Sequence, residues 1–182
     1  MIRDEDRKLY VFDFDDTIVD TASSELRVKI THTLRSGQVK TYILTSDDYA
    51  SFKLPTSGRI QLNFADFDTV PDDIEIKTQY FKLLQNALAD SRAHVIILTA
   101  RASGDPVTQF FKASLGGRLP KVVALGTSDP YAKSEYIKRL IDRFSFNIIY
   151  YYDDAEKNIE AVEELKDDYP DVNFDLYHVV DE

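Results

Sequence analysis

The sequence predicts an α/β fold in which helices flank a mostly parallel β-sheet, with a small β-rich insertion after the first strand. Short apolar runs typical of buried strands alternate with amphipathic helical segments from about residue 77 onward. Strands separated by helices form right-handed βαβ units, and the strands of such units are parallel. The first apolar run, Tyr10-Val11-Phe12, is followed by residues 22–72, where alternating polarity is instead typical of short strands.

The sheet region has clear signals for its elements. The helix at 77–90 places Tyr80, Phe81, Leu84, Ala87 and Leu88 on one stripe, with no Gly or Pro inside. Two later helices begin at Asp-Pro pairs, which supply a cap and a first-turn proline. The expected elements that follow are a strand at 94–99, a helix at 105–115, a strand at 122–125, a helix at 129–144, a strand at 147–152, a helix at 155–169 and a strand at 174–180.

The insertion at 22–72 interrupts a core domain formed by 1–21 and 73–182. Its pattern predicts a hairpin of two strands at 27–34 and 39–44, a helical turn at 46–48 and a further strand at 59–64. Because the insertion leaves the chain directly after the first strand, we expect it to lie over the carboxyl ends of the strands and to select the substrate. The alternative is a peripheral β element that only stabilises the domain.

Composition limits the classes of function. The 182 residues include 32 acidic and 22 basic side chains, so the net charge of −10 disfavours attraction to nucleic acid or to an anionic membrane. There are no cysteines, which excludes disulfides and a thiol nucleophile. The charged N-terminus and the lack of a long apolar run predict a soluble cytoplasmic protein. The oligomeric state is left open.

Carboxylates cluster where the first strand should end. Asp13, Asp15 and Asp16 lie within four residues of one another. A turn or helix cap explains one such carboxylate, whereas three repel each other and are costly to bury without a positive partner. Oxygen ligands of this kind suit Mg²⁺. The stretch therefore predicts a magnesium site.

The strand followed by Asp13-x-Asp15-x-Thr17 resembles the first signature of the haloacid dehalogenase (HAD) superfamily. Three other segments resemble the remaining signatures, and they occur in the same order along the chain. These segments are Leu98-Thr99-Ala100-Arg101, the helix with Lys133 (Lys138 is a weaker choice), and Asp153-Asp154 with Asn158. Taken singly, each segment has an ordinary explanation, in the same order as a strand-end hydroxyl, a solvated lysine or a helix cap.

The resemblance implies an Mg²⁺-dependent phosphatase that forms an aspartyl-phosphate on Asp13. It implies that Asp15 acts as general acid and base, and that Thr99 and Lys133 contact the transferring phosphoryl group. The implied metal ligands are Asp13, Asp15 (through its backbone carbonyl), Asp153 and Asp154. Which of Asp153 and Asp154 binds the metal directly stays open, because successive strand residues point to opposite faces.

Arg101 and Asp16 are candidate substrate-binding residues. Arg101 would project at the mouth of the site and grip a second phosphate or a base, or else lie in solvent. Asp16 either helps to form the site by fixing the turn after Asp15 or is a solvated carboxylate. Several basic residues make the insertion less acidic than the core and leave room for an anionic substrate: Arg27, Lys29, Lys53 and Arg59.

Three functions are consistent with these motifs and this composition. A small phosphomonoester such as a nucleotide or sugar phosphate is the favoured substrate. A polynucleotide 3′-phosphate end is the alternative substrate, since the LTAR and YYDD segments resemble polynucleotide phosphatase domains, although the net charge opposes it. The third is a binding or regulatory module of the same fold without turnover, against which the intact Asp13 and Asp15 count.

Overall fold

Five strands form one parallel sheet in the computed structural model, which describes residues 6–180. In chain order the elements are β1 (Lys8–Phe12), β2 (Val28–Thr33), β3 (Val39–Leu44), α1 (Ser46–Ser51), β4 (Arg59–Asn63), α2 (Thr78–Ala89), β5 (Ala93–Thr99), α3 (Asp105–Ser114), β6 (Lys121–Ala124), α4 (Pro130–Phe144), β7 (Ile148–Asp153), α5 (Glu156–Glu163), α6 (Leu165–Asp168) and β8 (Asn173–His178), with a short 3-10 helix at Ala65–Asp68.

The strand order of this sheet is β6-β5-β1-β7-β8, and every neighbouring pair is parallel. Counted along the chain among these five strands, the order is 3-2-1-4-5, as in Rossmann-like sheets. The order reverses at β1, so the crevice where such sheets bind ligands lies at the carboxyl ends of β1 and β7. The predicted α/β class, with helices flanking a parallel sheet, is confirmed.

The sheet is buried on both faces because its strands carry apolar residues on both sides. Along β1, Val11 packs into one apolar cluster and Phe12 into the other, as the alternation of strand side chains requires. The helices α2 and α3 cover the Phe12 face, and α4 and α5 cover the Val11 face. The two clusters hold the strand ends, and therefore the side chains that follow them, in fixed positions.

Two details of the helices differ from the sequence prediction. The helix expected over 155–169 is divided at Glu164 into two helices, α5 and α6. The dihedral angles of Glu164 are still helical (φ −59°, ψ −25°), so side-chain periodicity continues across the break and cannot reveal it. Phe144, expected in the buried stripe of α4, is instead 38% exposed, because the helix ends there at Ser145 in a left-handed conformation.

The insertion forms a second, antiparallel sheet with the strand order β3-β2-β4. The predicted hairpin of β2 and β3, the helical turn after Thr45 and the strand β4 are all present. Val28 and Ile30 of the central strand β2 are buried, whereas β3 has no buried residue. Among the helices of residues 6–180, none has the length and apolar composition that crossing a bilayer requires.

We expect Gly58 to be essential for seating β4 beside β2. Gly58 has φ +82°, and a Cβ atom there would lie 2.4 Å from the carbonyl oxygen of Thr33 and 2.9 Å from Nε2 of His32. Gly58→Ala should therefore cost about 3 kcal/mol, combining the left-handed backbone with a steric clash. Gly37→Ala is the matched control, since Gly37 has φ +87° but open space around it, and should cost about 1 kcal/mol. Urea denaturation measures both, and equal losses would contradict the steric explanation.

Candidate active site

A cavity of about 460 Å³ lies at the carboxyl ends of the parallel strands. Its floor includes Asp13 after β1 and Asp154 after β7, which is the point where the strand order reverses. Residues of the insertion form one wall of the same cavity. The insertion thus lies over the strand ends, as predicted, and is not a peripheral element.

Lys133 joins the carboxylates that follow the two central strands. Its Nζ donates to Asp13 Oδ1 at 2.9 Å and to Asp153 Oδ2 at 2.8 Å, and all three residues are buried. Asp129, the N-cap of α4, accepts from the backbone N–H of Tyr131 and so fixes the first turn of the helix that carries the lysine. Desolvation lowers the pKa of Lys133, but the charges of Asp13 and Asp153 outweigh it and raise the pKa, so the side chain is a cation.

Asp153 is fully buried and has a complete set of hydrogen-bond donors. Besides Lys133, its Oδ2 accepts from the Tyr151 hydroxyl at 2.6 Å and from the Asn158 amide at 3.0 Å, and its Oδ1 accepts from the N–H of Ala155 at 2.9 Å. Tyr151 was not singled out from the sequence. The signal was present, since residues two apart on a strand share a face.

Asp154 differs from Asp153 because it lines the cavity and has no cation of its own among the described residues. One carboxylate oxygen from each of Asp13, Asp153 and Asp154 lies within 4.8 Å of the others. Burial, followed by the charges of Asp13 and Asp153, raises the pKa of Asp154. Burial also raises the pKa of Asp13, although the charge of Lys133 opposes this effect. When all three carboxyls are ionised, the cluster carries more negative charge than Lys133 alone neutralises.

Asp15 and Arg101 form a bidentate ion pair at the edge of the cavity. Arg101 Nε donates to Asp15 Oδ2 at 2.9 Å and Nη2 donates to Oδ1 at 2.8 Å, while the Thr21 hydroxyl donates to Oδ1 at 2.7 Å. Nη1 of Arg101 donates to the carbonyl oxygens of Phe67 and Thr69 in the insertion. The guanidinium is thus buried, so the alternative that Arg101 lies in solvent is wrong. Contact of Arg101 with a substrate stays a prediction.

Asp16 is buried, so its interpretation as a solvated carboxylate is also wrong. Its φ of 60° is a left-handed conformation that aspartate tolerates better than most residues. One carboxylate oxygen accepts from the N–H of Ala22 at 2.7 Å, and the other accepts from the hydroxyl of Ser46 in the insertion. Burial raises the pKa of Asp16. Asp16 fixes the turn after Asp15, lines the cavity, and links the core to α1.

Two threonines near Asp13 are buried. The Thr99 hydroxyl oxygen accepts from the N–H of Arg101 at 3.2 Å, and Thr99 is not among the residues that line the cavity. The Thr17 hydroxyl makes a long contact of 3.4 Å to Asp13 Oδ2. Thr99 therefore positions the segment that carries Arg101, and its contact with a phosphoryl group stays a prediction.

The basic residues of the insertion do not reach the cavity. Arg27 turns back to the carbonyl oxygens of Ser24 and Leu26, and Lys53 and Arg59 are exposed outside the lining. On β4 the side chain of Leu62 lines the cavity, so strand alternation points Arg59 to the other face. None of the four residues Arg27, Lys29, Lys53 and Arg59 lines the cavity, so they do not supply positive charge to it.

No family model, curated protein or solved structure gives a significant match to this chain. The chemistry of the site is therefore what bears on function. The carboxylate oxygens of Asp13, Asp153 and Asp154, within 4.8 Å of one another, are compatible with metal binding.

The surplus of carboxylates predicts a pH-dependent loss of stability in metal-free protein. A carboxyl whose pKa is raised by folding stays protonated while the unfolded chain ionises, so stability falls as pH rises above the ordinary aspartate value of 3.8. Asp154→Asn removes this loss. In EDTA, its melting temperature should exceed that of the parent by about 3 °C or more near pH 8, with a smaller gain near pH 5.

The matched control for this experiment is Asp171→Asn, which removes an exposed carboxylate outside the cavity. It changes the net charge by the same amount and should leave the melting temperature nearly unchanged. An Asp154→Asn protein that melts below the parent at both pH values would contradict the charge surplus.

The Arg101 ion pair predicts a large stability effect of one arginine. Arg101→Ala leaves Asp15 without its cation in a mostly buried position and should cost about 3 kcal/mol of unfolding free energy. Arg118→Ala is the control, since the exposed Arg118 donates only to carbonyl oxygens, among them that of Ala93, and should cost about 1 kcal/mol. Guanidinium denaturation compares them, and equal losses would show that the ion pair adds nothing.

Proposed function

We propose that this chain is a HAD-like, Mg²⁺-dependent phosphatase that hydrolyses a phosphomonoester through an aspartyl-phosphate on Asp13. The observation that carries the proposal is the Lys133 bridge between Asp13 and Asp153, with Asp154 beside them. A phosphate dianion repels carboxylates, so a site built for it needs fixed positive charge next to the attacking oxygen. Lys133 supplies part of that charge.

The donor set fits a hard divalent cation. Asp13, Asp153 and Asp154 offer carboxylate oxygens within 4.8 Å of one another, and Mg²⁺ prefers such ligands. Asn158 Oδ1 is buried and has no hydrogen-bond partner among residues 6–180, so an oxygen acceptor is also left over beside Asp153. When bound, Mg²⁺ would supply the positive charge that neutralises the phosphoryl oxygens.

Asp154 fits direct ligation better than Asp153 does. Both carboxylate oxygens of Asp153 accept hydrogen bonds from groups of the protein, and its side chain is 1% exposed. Asp154 lines the cavity beside Asp13. We therefore assign direct ligation to Asp13 and Asp154, with the backbone carbonyl of Asp15 as the resemblance implies. Asp153 then serves chiefly to hold Lys133.

In the proposed mechanism Asp13 is the nucleophile. Its Oδ1 accepts from Lys133 Nζ at 2.9 Å, and the Thr17 hydroxyl makes a long contact of 3.4 Å to Oδ2. Attack by an Asp13 oxygen on phosphorus forms the acyl phosphate as the bond to the leaving alcohol oxygen breaks. Lys133 stabilises the charge on the transferring group, and water then hydrolyses the acyl phosphate to return the carboxylate.

Asp15 would protonate the leaving oxygen and later take a proton from the attacking water. Both of its oxygens accept hydrogen bonds from Arg101 and Thr21 in this structure. To donate a proton, Asp15 has to exchange part of these contacts for the leaving oxygen. In the proposed mechanism, Arg101 would hold Asp15 until the leaving oxygen replaces part of these contacts.

The test is steady-state hydrolysis of p-nitrophenyl phosphate with and without Mg²⁺. Asp13→Asn should lower kcat by at least about a thousandfold, because the nucleophile is lost, and EDTA should abolish the parent activity. Asp20→Asn is the control, since Asp20 lies seven residues further along, caps Ser23 outside the cavity, and should keep parental kcat. Parental activity in Asp13→Asn, or full activity in EDTA, would refute the mechanism.

A further inference from the structure

The insertion presents an apolar wall to the cavity, opposite the carboxylates. We define this wall by six residues: Val28, Tyr49, Ala50, Leu62, Phe64 and Phe67. Leu62 lies on β4 and Phe64 directly follows that strand, and both side chains line the cavity. The ring of Tyr49 meets the ring of Phe64 edge to face, with centroids 5.4 Å apart. The wall is therefore a preformed aromatic and aliphatic surface next to the reacting groups.

Part of this apolar wall is open to solvent. Leu62 is 41% exposed and Phe64 is 40% exposed, although both lie inside a concave site. Single exposed apolar residues are common on protein surfaces, but two adjacent ones lining the cavity of the reacting carboxylates leave apolar area that a ligand can cover. Covering that area is favourable through the hydrophobic effect.

The charges of the cavity do not suit a second anionic group. Of the lining cations, Lys133 and Arg101 are each held by carboxylates, which leaves Lys157. Two acidic residues of the outer lining, Asp68 and Asp129, add negative charge. A polynucleotide would need a basic groove that follows its backbone. The described residues that line the cavity form no such groove. A single phosphate on an uncharged leaving group fits these charges.

We propose that the substrate is a monophosphate ester whose leaving alcohol is uncharged and carries an apolar ring that packs on Phe64, Leu62 and Tyr49. This inference rests on the proposed function, because the phosphate is placed at Asp13 and Lys133. The cavity volume of about 460 Å³ is within the range of small-molecule sites. The apolar wall disfavours sugar phosphates and polynucleotide ends as substrates, because their polar or charged groups would be desolvated against it.

The experiment compares three esters of primary alcohols, so that leaving-group reactivity is similar: phenylpropyl phosphate, propyl phosphate and glucose 6-phosphate. The kcat/KM for phenylpropyl phosphate should exceed that for each of the other two by at least about tenfold, as expected for burial of several apolar carbons. Equal values, or a preference for glucose 6-phosphate, would overturn the proposal and leave the phosphatase function intact.

Variants locate the preference on the wall. Phe64→Ala and Leu62→Ala should each reduce the ratio of kcat/KM between phenylpropyl and propyl phosphate by several-fold, roughly three- to tenfold. Ile43→Ala is the matched control, because Ile43 is 62% exposed on β3 of the same small sheet but does not line the cavity. An unchanged ratio in both wall variants, or an equal change in Ile43→Ala, would overturn the placement of the ring.

A binding measurement separates this inference from the function on which it rests. Calorimetry with phenylpropylphosphonate, which cannot be hydrolysed, should give a dissociation constant at least about tenfold below that of propylphosphonate, and Phe64→Ala should reduce this difference. If no ester is turned over but this binding pattern holds, the phosphatase proposal fails and the apolar subsite stands. If both phosphonates bind equally, the subsite is wrong regardless of turnover.

Discussion

The contact on which the site depends is the double hydrogen bond of Lys133 to Asp13 and Asp153. It joins the carboxyl ends of β1 and β7, the two strands between which the order of the sheet reverses, through a side chain of α4. A lysine buried this deeply stays charged only because two carboxylates face it. The same contact brings three carboxylates together and compensates them incompletely, an arrangement that is compatible with metal binding.

A second ion pair connects this site to the insertion. Arg101 grips Asp15 with two nitrogen atoms and donates its third to carbonyl oxygens of the insertion, while its guanidinium lies 5.3 Å from the ring centroid of Phe67. The position of the proposed acid is thus coupled to the position of the wall that would contact the leaving group. Ser46, which donates to Asp16, is a second link of the same kind.

Periodicity and residue type were enough to predict the order of strands and helices, and the carboxylates at the ends of β1 and β7. These features are local, since an apolar strand and the polar residue after it are adjacent in sequence. Pairings across the fold were not predictable: Arg101 and Asp15 are separated by 86 residues, and no pattern in the sequence marks that contact. Nor does alternation on β4 say which of its two faces covers the site, so the outward direction of Arg59 required the tertiary structure.

The most direct test of the account is a crystal structure of the protein with Mn²⁺ in place of Mg²⁺, located by anomalous scattering. The account predicts one cation bound by carboxylate oxygens of Asp13 and Asp154, with Lys133 still donating to Asp13 and Asp153. A structure at saturating Mn²⁺ in which the cation binds elsewhere or not at all would contradict it.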